Sequence, residues 1–546
     1  MKLKYLLMGA LVGLAFTACT NDDEPAVKGP SRSADAKDYV AVKIVMPGDA
    51  TTRAWDADAF EAGSENENTV TKALFFFMKG STQVADPYEI TADNNGDMEA
   101  LEGTILNPWT DGTENTIEKL SKVIVVLANK IENPTHIIAV LNAGLSDLGL
   151  SKTSTLSDIT SKVADYATTT LTAKGKFVMS SSIYDDVKTI IGAEVETVYD
   201  TVEEAKAAPS VRIPVERVVA KVSVGGTDTA TQNTANEDTA STTISVLDKE
   251  GNSVDLDITA EVTGWWLDNN PSQSLLIKKL EAESAYTTVS ADLKKSWYDD
   301  ATNYRSYWAT PSTGTLKHYA YNENGTADRY TLENTDQANP TQVVVAATLK
   351  SNNKAIDLVK YLGVLYTKEG FETALVNVLA HTYYTATTSE NSTIYTSVTT
   401  NDVDFTYSEA TTQYEAVITL AKKNADAVWY VKSGDSYTEA DPTSDLKSYT
   451  IQYWAGGTTY YYVQIVHNDG ITVGTGDDAH GLYGVIRNHW YKITVKSING
   501  LGTPVPFKDV DEEIIPIIPE DEHSYISAEI AILKWKVVEQ DVDLGK

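Results

Sequence analysis

The chain has a single cysteine, Cys19, in 546 residues. No disulfide can close within it, and no second thiol is available as a nucleophile or a soft metal ligand. Histidine is sparse as well. His136, His318, His381, His467, His480, His489 and His523 are dispersed, and none forms an H-E-x-x-H or H-x-x-x-H pair. A G-x-S-x-G elbow and a phosphate-binding loop are missing. Basic residues are few: 44 Lys and Arg face 77 Asp and Glu, for a net charge of −33. That balance excludes the electrostatic footprint of a nucleic-acid partner. It also makes the surface self-repelling, so any self-association must rest on strand pairing and apolar burial. No solenoid-length repeat occurs, and beyond the first residues no run approaches a membrane span.

Partial motifs resolve into bland structure. Asp93, Asn95, Asp97 and Glu99 mimic a calcium loop, but Met98 stands where glycine is required and Thr104 where glutamate is required. Gly474 to Asp478 reads as a hairpin loop. Neighbouring carboxylates are unavoidable at this acid content and do not argue for a glycosidase. The sequence therefore gives no catalytic residue, no metal site and no cofactor, and the chain reads as a non-enzyme. Trp265-Trp266 and Tyr460-Tyr461-Tyr462 could stack on sugars, but sheet packing explains them better.

What is present begins with an export signal. Lys2 and Lys4 precede a short apolar run, Tyr5 to Ala18, that ends at Cys19. Residues 1–19 read as a signal peptide with a lipidated Cys19 at its end. The Thr17-Ala18-Cys19 ending resembles a bacterial lipoprotein processing site, with Phe16 where leucine is usual. Asn21-Asp22-Asp23-Glu24 resembles the surface-export signals of Bacteroidetes lipoproteins; the alternative is a solvated spacer. The membrane is then reached only through the lipid of the precursor.

Residues 38–47 form a strong strand, with Val40, Val42, Ile44 and Met46 on one face at period two. A polar loop follows with Arg53 and Ala54 exposed to cutting, although from the residues alone an ordinary loop arginine is the better reading. Further strands are expected at Val70–Lys79, Val123–Leu127, Ile137–Leu141 and, as one long element, Val211–Val224. After a Thr- and Asn-rich stretch, strands are expected at Leu256–Val262, Gln342–Leu349, Ala427–Lys432, Thr458–Val466 and His489–Ile498. Short helices fit around Asn115–Lys122, Thr153–Ala167 and Glu372–Leu379.

The end of the chain is unusual. Pro504, Pro506, Pro516 and Pro519 make a stiff, extended linker. Beyond it, Ile526, Ile530 and Ile532 share one strand face; Leu533, Trp535 and Val537 follow in one phase, and Val538, Val542 and Leu544 in the other. A bend near Trp535–Val538 accounts for the shift. This tail either folds back onto its own body or is donated to another molecule.

Several stretches together resemble a family. Thr52-Arg53-Ala54 after the first strand, Val215 to Val222 (VERVVAKV), Arg487 to Val495 (RNHWYKITV), Gly500-Leu501-Gly502 and Trp535 to Glu539 are similar to the fimbrillins of Bacteroidales, nearest the minor, Mfa-type branch. The resemblance implies an all-β fold of two transthyretin-like β-sandwich domains in tandem, with a few short helices in loops. It implies a leader at 20–53 that includes the first strand, domains at 54–226 and 227–503, and a linker with donor strand at 504–546. A maturation protease would cut between Arg53 and Ala54, with Arg32 as a competing site. The vacated groove would accept the tail of the next copy, building a head-to-tail fibre at the cell surface.

The implied role is a shaft subunit of a type V pilus supporting adhesion and biofilm formation. Its partners would be copies of itself, accessory fimbrial subunits, the maturation protease and host or bacterial surface ligands. The alternatives are a tip or accessory adhesin, and a surface glycan-binding lipoprotein.

Overall fold

The computed structural model describes residues 38–45, 63–64, 67, 70–91, 122–160, 163–165, 177–181, 192–200, 202–208, 211–225, 242–277, 316–317, 328–334, 339–390, 392–408, 415–467, 484–498, 500–504, 526–532 and 539–542; at 38–45, 526–532 and 539–542 it describes the backbone. The fold is all-β, organised as several sheets around successive apolar cores.

The first core belongs to a nine-stranded sheet. The strands needed here are β1 (Asp38–Val45), β2 (Lys72–Lys79), β3 (Lys122–Leu127), β4 (His136–Leu141), β5 (Met179–Ser181) and β6 (Val211–Arg217). The order runs β2–β4–β5–β6–β1–β3, with the short strand Thr82–Gln83 outside β2. In β2, every residue from Ala73 to Met78 is buried, so both faces are covered. That is the reason this strand is a continuous apolar run rather than an alternation.

The expected long strand Val211–Val224 is not one strand. It breaks at Val218 into β6 and β7 (Val219–Gly225), and the two halves join different sheets. Ile213, Val215, Val218 and Val219 pack in the first core, whereas Ala220, Val222 and Val224 pack in the second. Apolar residues at Val218 and Val219 in succession abandon the period of two, and the chain changes layer there.

The second core lies under β7, β8 (Ser253–Asp268), β10 (Gln342–Ser351), β11 (Thr458–Gln464) and β12 (Trp490–Ile498), with β9 (Arg329–Leu332) on the outer side of β7. Strand β8 is longer than expected and carries Trp265 and Trp266 along β10, with a bulge between Val262 and Gly264. A third core is built on α4. Among the described residues the helices in order are α1 (Leu145–Leu148), α2 (Leu156–Thr160), α3 (Val202–Ala207) and α4 (Lys368–Ala380). Helix α4 extends the expected Glu372–Leu379 segment at both ends. Its N-cap is Thr367, whose Oγ1 accepts from the Gly370 amide at 3.0 Å. It buries Phe371, Leu375, Val376 and Leu379 against Ile418, Trp429 and Ile451.

Of the remaining expectations, the described part of Thr153–Ala167 holds the short α2 and then a strand at Val163–Asp165. The Asn115–Lys122 helix, the calcium-like stretch from Asp93 to Glu99 and the Gly474–Asp478 loop lie outside the described residues, except that Lys122 opens β3.

Candidate assembly site: a bracketed first strand, a tail strand and the corner between them

Strand β1 sits inside its sheet. It pairs parallel with β6, Val42 opposite Val211 and Ile44 opposite Ile213, and antiparallel with β3, Val40 opposite Val125 and Val42 opposite Val123. Val125 and Ile213 are fully buried in the first core. Val40 is thus in register with a buried core position on the β3 side and Ile44 with one on the β6 side. Without β1, the backbone groups of β6 and β3 that face it would have no ladder partner. Met46, Arg53, Ala54, Arg32 and Cys19 lie outside the described residues.

The tail forms β13 (Ile526–Ile532) and β14 (Glu539–Val542). Of the two pairings open to it, the structure shows the one within the chain. β13 runs antiparallel to β12, with Ile532 opposite Tyr491, Ile530 opposite Ile493 and Ile526 opposite Ile498. β14 then pairs with β13, Val542 opposite Ala528. Tyr491, Ile493 and Val495 face the second core. Leu533, Trp535, Val537, Val538 and Leu544 lie outside the described residues.

A buried polar corner joins these two places, and it brings together the VERVVAKV and RNHWYKITV segments. Asn488 donates its amide to the Val219 carbonyl at 2.8 Å, and Lys221 donates its own to the His489 carbonyl at 2.9 Å. From there β7 and β12 run parallel, Lys221 opposite Trp490. The Arg217 guanidinium reaches Asn488 Oδ1 at 3.0 Å and the Glu67 carbonyl at 3.1 Å. The Lys221 ammonium lies 3.0 Å from Glu67 Oε1, 2.8 Å from Asp328 Oδ2 and 3.7 Å from the centre of the Trp490 ring. The Tyr330 hydroxyl donates to Glu67 Oε1 at 2.6 Å.

Burial pushes the Glu67 carboxyl up, but the Tyr330 hydroxyl, the Lys221 ammonium and the Ser64 amide outweigh it and hold the group below the usual carboxylate range. Burial pushes the Tyr330 phenol well above its ordinary value, and the Glu67 charge adds to that. Arg487 is buried nearby, with Nε 3.0 Å from Glu333 Oε2 and its other nitrogens donating to the Leu275 and Leu276 carbonyls at 2.6 and 2.9 Å. These groups hold strands together.

Glu67 and Tyr330 are absent from the sequence reading. A signal for Glu67 existed: Ser64-Glu-Asn-Glu67 has the spacing of a capping box. The structure closes it, with Glu67 N near Ser64 Oγ at 3.4 Å and the Ser64 amide donating to Glu67 Oε2. The aromatic clusters behave as sheet packing. Trp265 and Tyr461 are in the second core, and Trp266 meets Tyr460 edge to face at 5.8 Å.

Among the described residues, no three His, Cys, Asp or Glu side chains gather as a metal site, and no helix is long and apolar enough to cross a membrane.

No curated protein matches the sequence. Among solved structures, similar chains include a candidate cell adhesion protein from Parabacteroides distasonis (12% identity, TM-score 0.39, 92% of this chain and 98% of that one). A candidate cell adhesion protein from Bacteroides eggerthii (11%, 0.34, 90% and 95%) and a fimbrial assembly protein from P. distasonis (10%, 0.31, 92% and 100%) are also similar. Residues 452–541 match the family described as major fimbrial subunit protein type IV, fimbrillin, C-terminal. The matched span takes in β11, the Arg487–Val495 segment, β12 and the tail hairpin, and over it the chain is similar to the C-terminal region of fimbrillins.

Proposed function

We propose that the chain is a structural subunit of a cell-surface fimbria, of the minor Mfa-type branch, that polymerises by strand exchange. It is exported as a lipoprotein through Cys19 and held at the outer membrane as a precursor. Cleavage between Arg53 and Ala54 frees residues 20–53, which include β1. The tail of the next copy, with Ile526, Ile530 and Ile532, then fills the slot between β6 and β3. The fibre supports adhesion and biofilm formation. The observation that carries the reading is the place of β1: an N-terminal strand bracketed on both sides, in register with buried Val125 and Ile213. The similarity of residues 452–541 to fimbrillins supports it.

The energetics suit an exchange that is slow without cleavage. Burying four to six apolar side chains in the slot gives a gross gain on the order of 10 kcal/mol. Ordering the tail and immobilising a subunit consume several kcal/mol of that. The tail must also leave its own antiparallel ladder on β12. While β1 occupies the slot, a donor has nothing to gain. Once β1 is gone, two unpaired strand edges and an apolar groove favour strand addition. Donation from one copy to the next is a heterologous contact, so it propagates as an open filament.

The test is to express the chain from Thr20, cut it with a limiting trypsin-like protease, and record intact mass beside negative-stain images. A new N-terminus at Ala54 with rods is the expected result, and deleting residues 524–546 removes the rods. A chain cut at Ala54 that stays monomeric sinks the reading.

A further inference from the structure

The slot has a weak wall. Val211 to Pro214 of β6 pair with β1, whereas β5 pairs only with Val215 to Arg217. When β1 leaves, the first half of β6 keeps Ile213 in the first core but no ladder neighbour among the described strands, so its remaining ladder lies at one end. That end is the corner at Val218, and the side chains there converge on Glu67. Glu67 lies after Arg53, so it stays with the body when the leader is cut.

One residue ties three strands at this corner. The Glu67 carbonyl accepts from Arg217 of β6, and its carboxylate takes Lys221 of β7 and Tyr330 of β9. The second carboxylate oxygen is taken by the Ser64 amide. Glu67 is fully buried, and Arg217 and Lys221 are nearly so. A stretch that merely connected the leader to β2 would run over the surface and need none of this. A carboxylate kept from water persists where paired charges and hydrogen bonds hold it in one geometry.

We propose that Glu67 is the clamp that keeps the wall of the strand slot in place while the slot stands empty. The inference rests on the reading of β1 as a removable strand. With β1 present, β6 is held along its whole length and the clamp is redundant. With β1 gone, the clamp joins the Arg217–Asn488 contact and the short β5 ladder in keeping β6 aligned with β7 for the incoming strand.

The experiment inserts a specific protease site between Arg53 and Ala54 in the chain from Thr20, and cuts it. The leader is then released in denaturant below the unfolding transition. Amide exchange over residues 211–225 is followed by mass spectrometry in the uncut and cut forms. The expected result is that Glu67→Ala exchanges like the parent before the cut and about tenfold faster after release. Tyr330→Phe, which keeps the ring against Phe177 and removes one hydrogen bond, shifts the same way by less. Adding a peptide of residues 38–47 restores slow exchange in the parent and does so more weakly in Glu67→Ala.

Equal exchange in parent and variant with the leader gone overturns the clamp alone. Equally fast exchange of the variant before and after the cut also overturns it, since Glu67 is then an ordinary packing residue. A leader that stays bound after the cut overturns the clamp and the processing reading together, because the empty interval does not arise.

Discussion

Arg217 and Asn488 meet side chain to side chain, guanidinium nitrogen to amide oxygen, at 3.0 Å and across 271 positions of sequence. Asn488 also holds a left-handed backbone, φ 55°, which asparagine tolerates better than most residues. Its amide then reaches the Val219 carbonyl.

Replacing Asn488 therefore removes two things at once. Asn488→Ala loses a buried hydrogen bond to a charged group, about 1.5–3 kcal/mol, and forces alanine into that backbone. The strain adds about 1–2 kcal/mol. Asn488→Gly loses the side chain and its hydrogen bond without that backbone strain. Urea unfolding should rank the parent above Asn488→Gly and that above Asn488→Ala. Equal stability of the two variants would show that the backbone conformation carries no cost.

The Arg487–Glu333 pair makes a second prediction. Both side chains are out of water, and Arg487 also satisfies two carbonyls. Arg487→Ala leaves Glu333 as a buried charge without its cation, and the loss should be about 3–5 kcal/mol. A urea midpoint within error of the parent would contradict it.

Glu67 sets a pH dependence. Its carboxyl is held below the ordinary value of 4.5 in the folded chain. The stabilisation is thus complete above that value and is lost as pH falls through the lower, folded value. Glu67→Gln does not titrate there. The stability gap between parent and Glu67→Gln should be constant near neutrality and shrink in acid below about pH 4.5. Two parallel curves down to pH 3 would refute the assignment.

The Gly500-Leu501-Gly502 stretch reports a close approach of backbones. A Cβ on Gly502 would run into the Tyr460 carbonyl, beside the mutual hydrogen bonds of Tyr460 and Thr503 at 2.9 Å. Gly502 also offers its carbonyl to the Trp454 indole at 3.0 Å. Gly502→Ala should cost about 1–3 kcal/mol through forced displacement. Thermal unfolding checks it, with an unchanged Tm as the contrary outcome.

The elements legible in the sequence were those whose burial is one-sided or complete. The apolar run of β2 and the alternation along β12 survive intact because local pattern and tertiary burial agree there. The corner was legible only in pieces. VERVVAKV and RNHWYKITV are recognisable strings, but nothing in either says that they touch, because strand pairing across hundreds of residues leaves no local signature. The break at Val218 was written in the doublet Val218-Val219, which reads equally as a strand buried on both faces. Glu67 was hidden by its company: in a stretch full of acids, nothing marks the one carboxylate that is buried, except the three-residue spacing back to Ser64.

The run from Val211 to Gly225 has a mechanical meaning. It pairs parallel with β1 in one sheet and parallel with β12 in the other, on either side of Val218. In a fibre built as proposed, the strand that takes the place of β1 would load this run along its length. Loaded along their length, parallel ladders resist by sliding rather than by opening one rung at a time, so many hydrogen bonds bear the pull together. The corner at Val218, tied by Arg217 to Asn488 and by Lys221 to Glu67, would be the rivet on that load path.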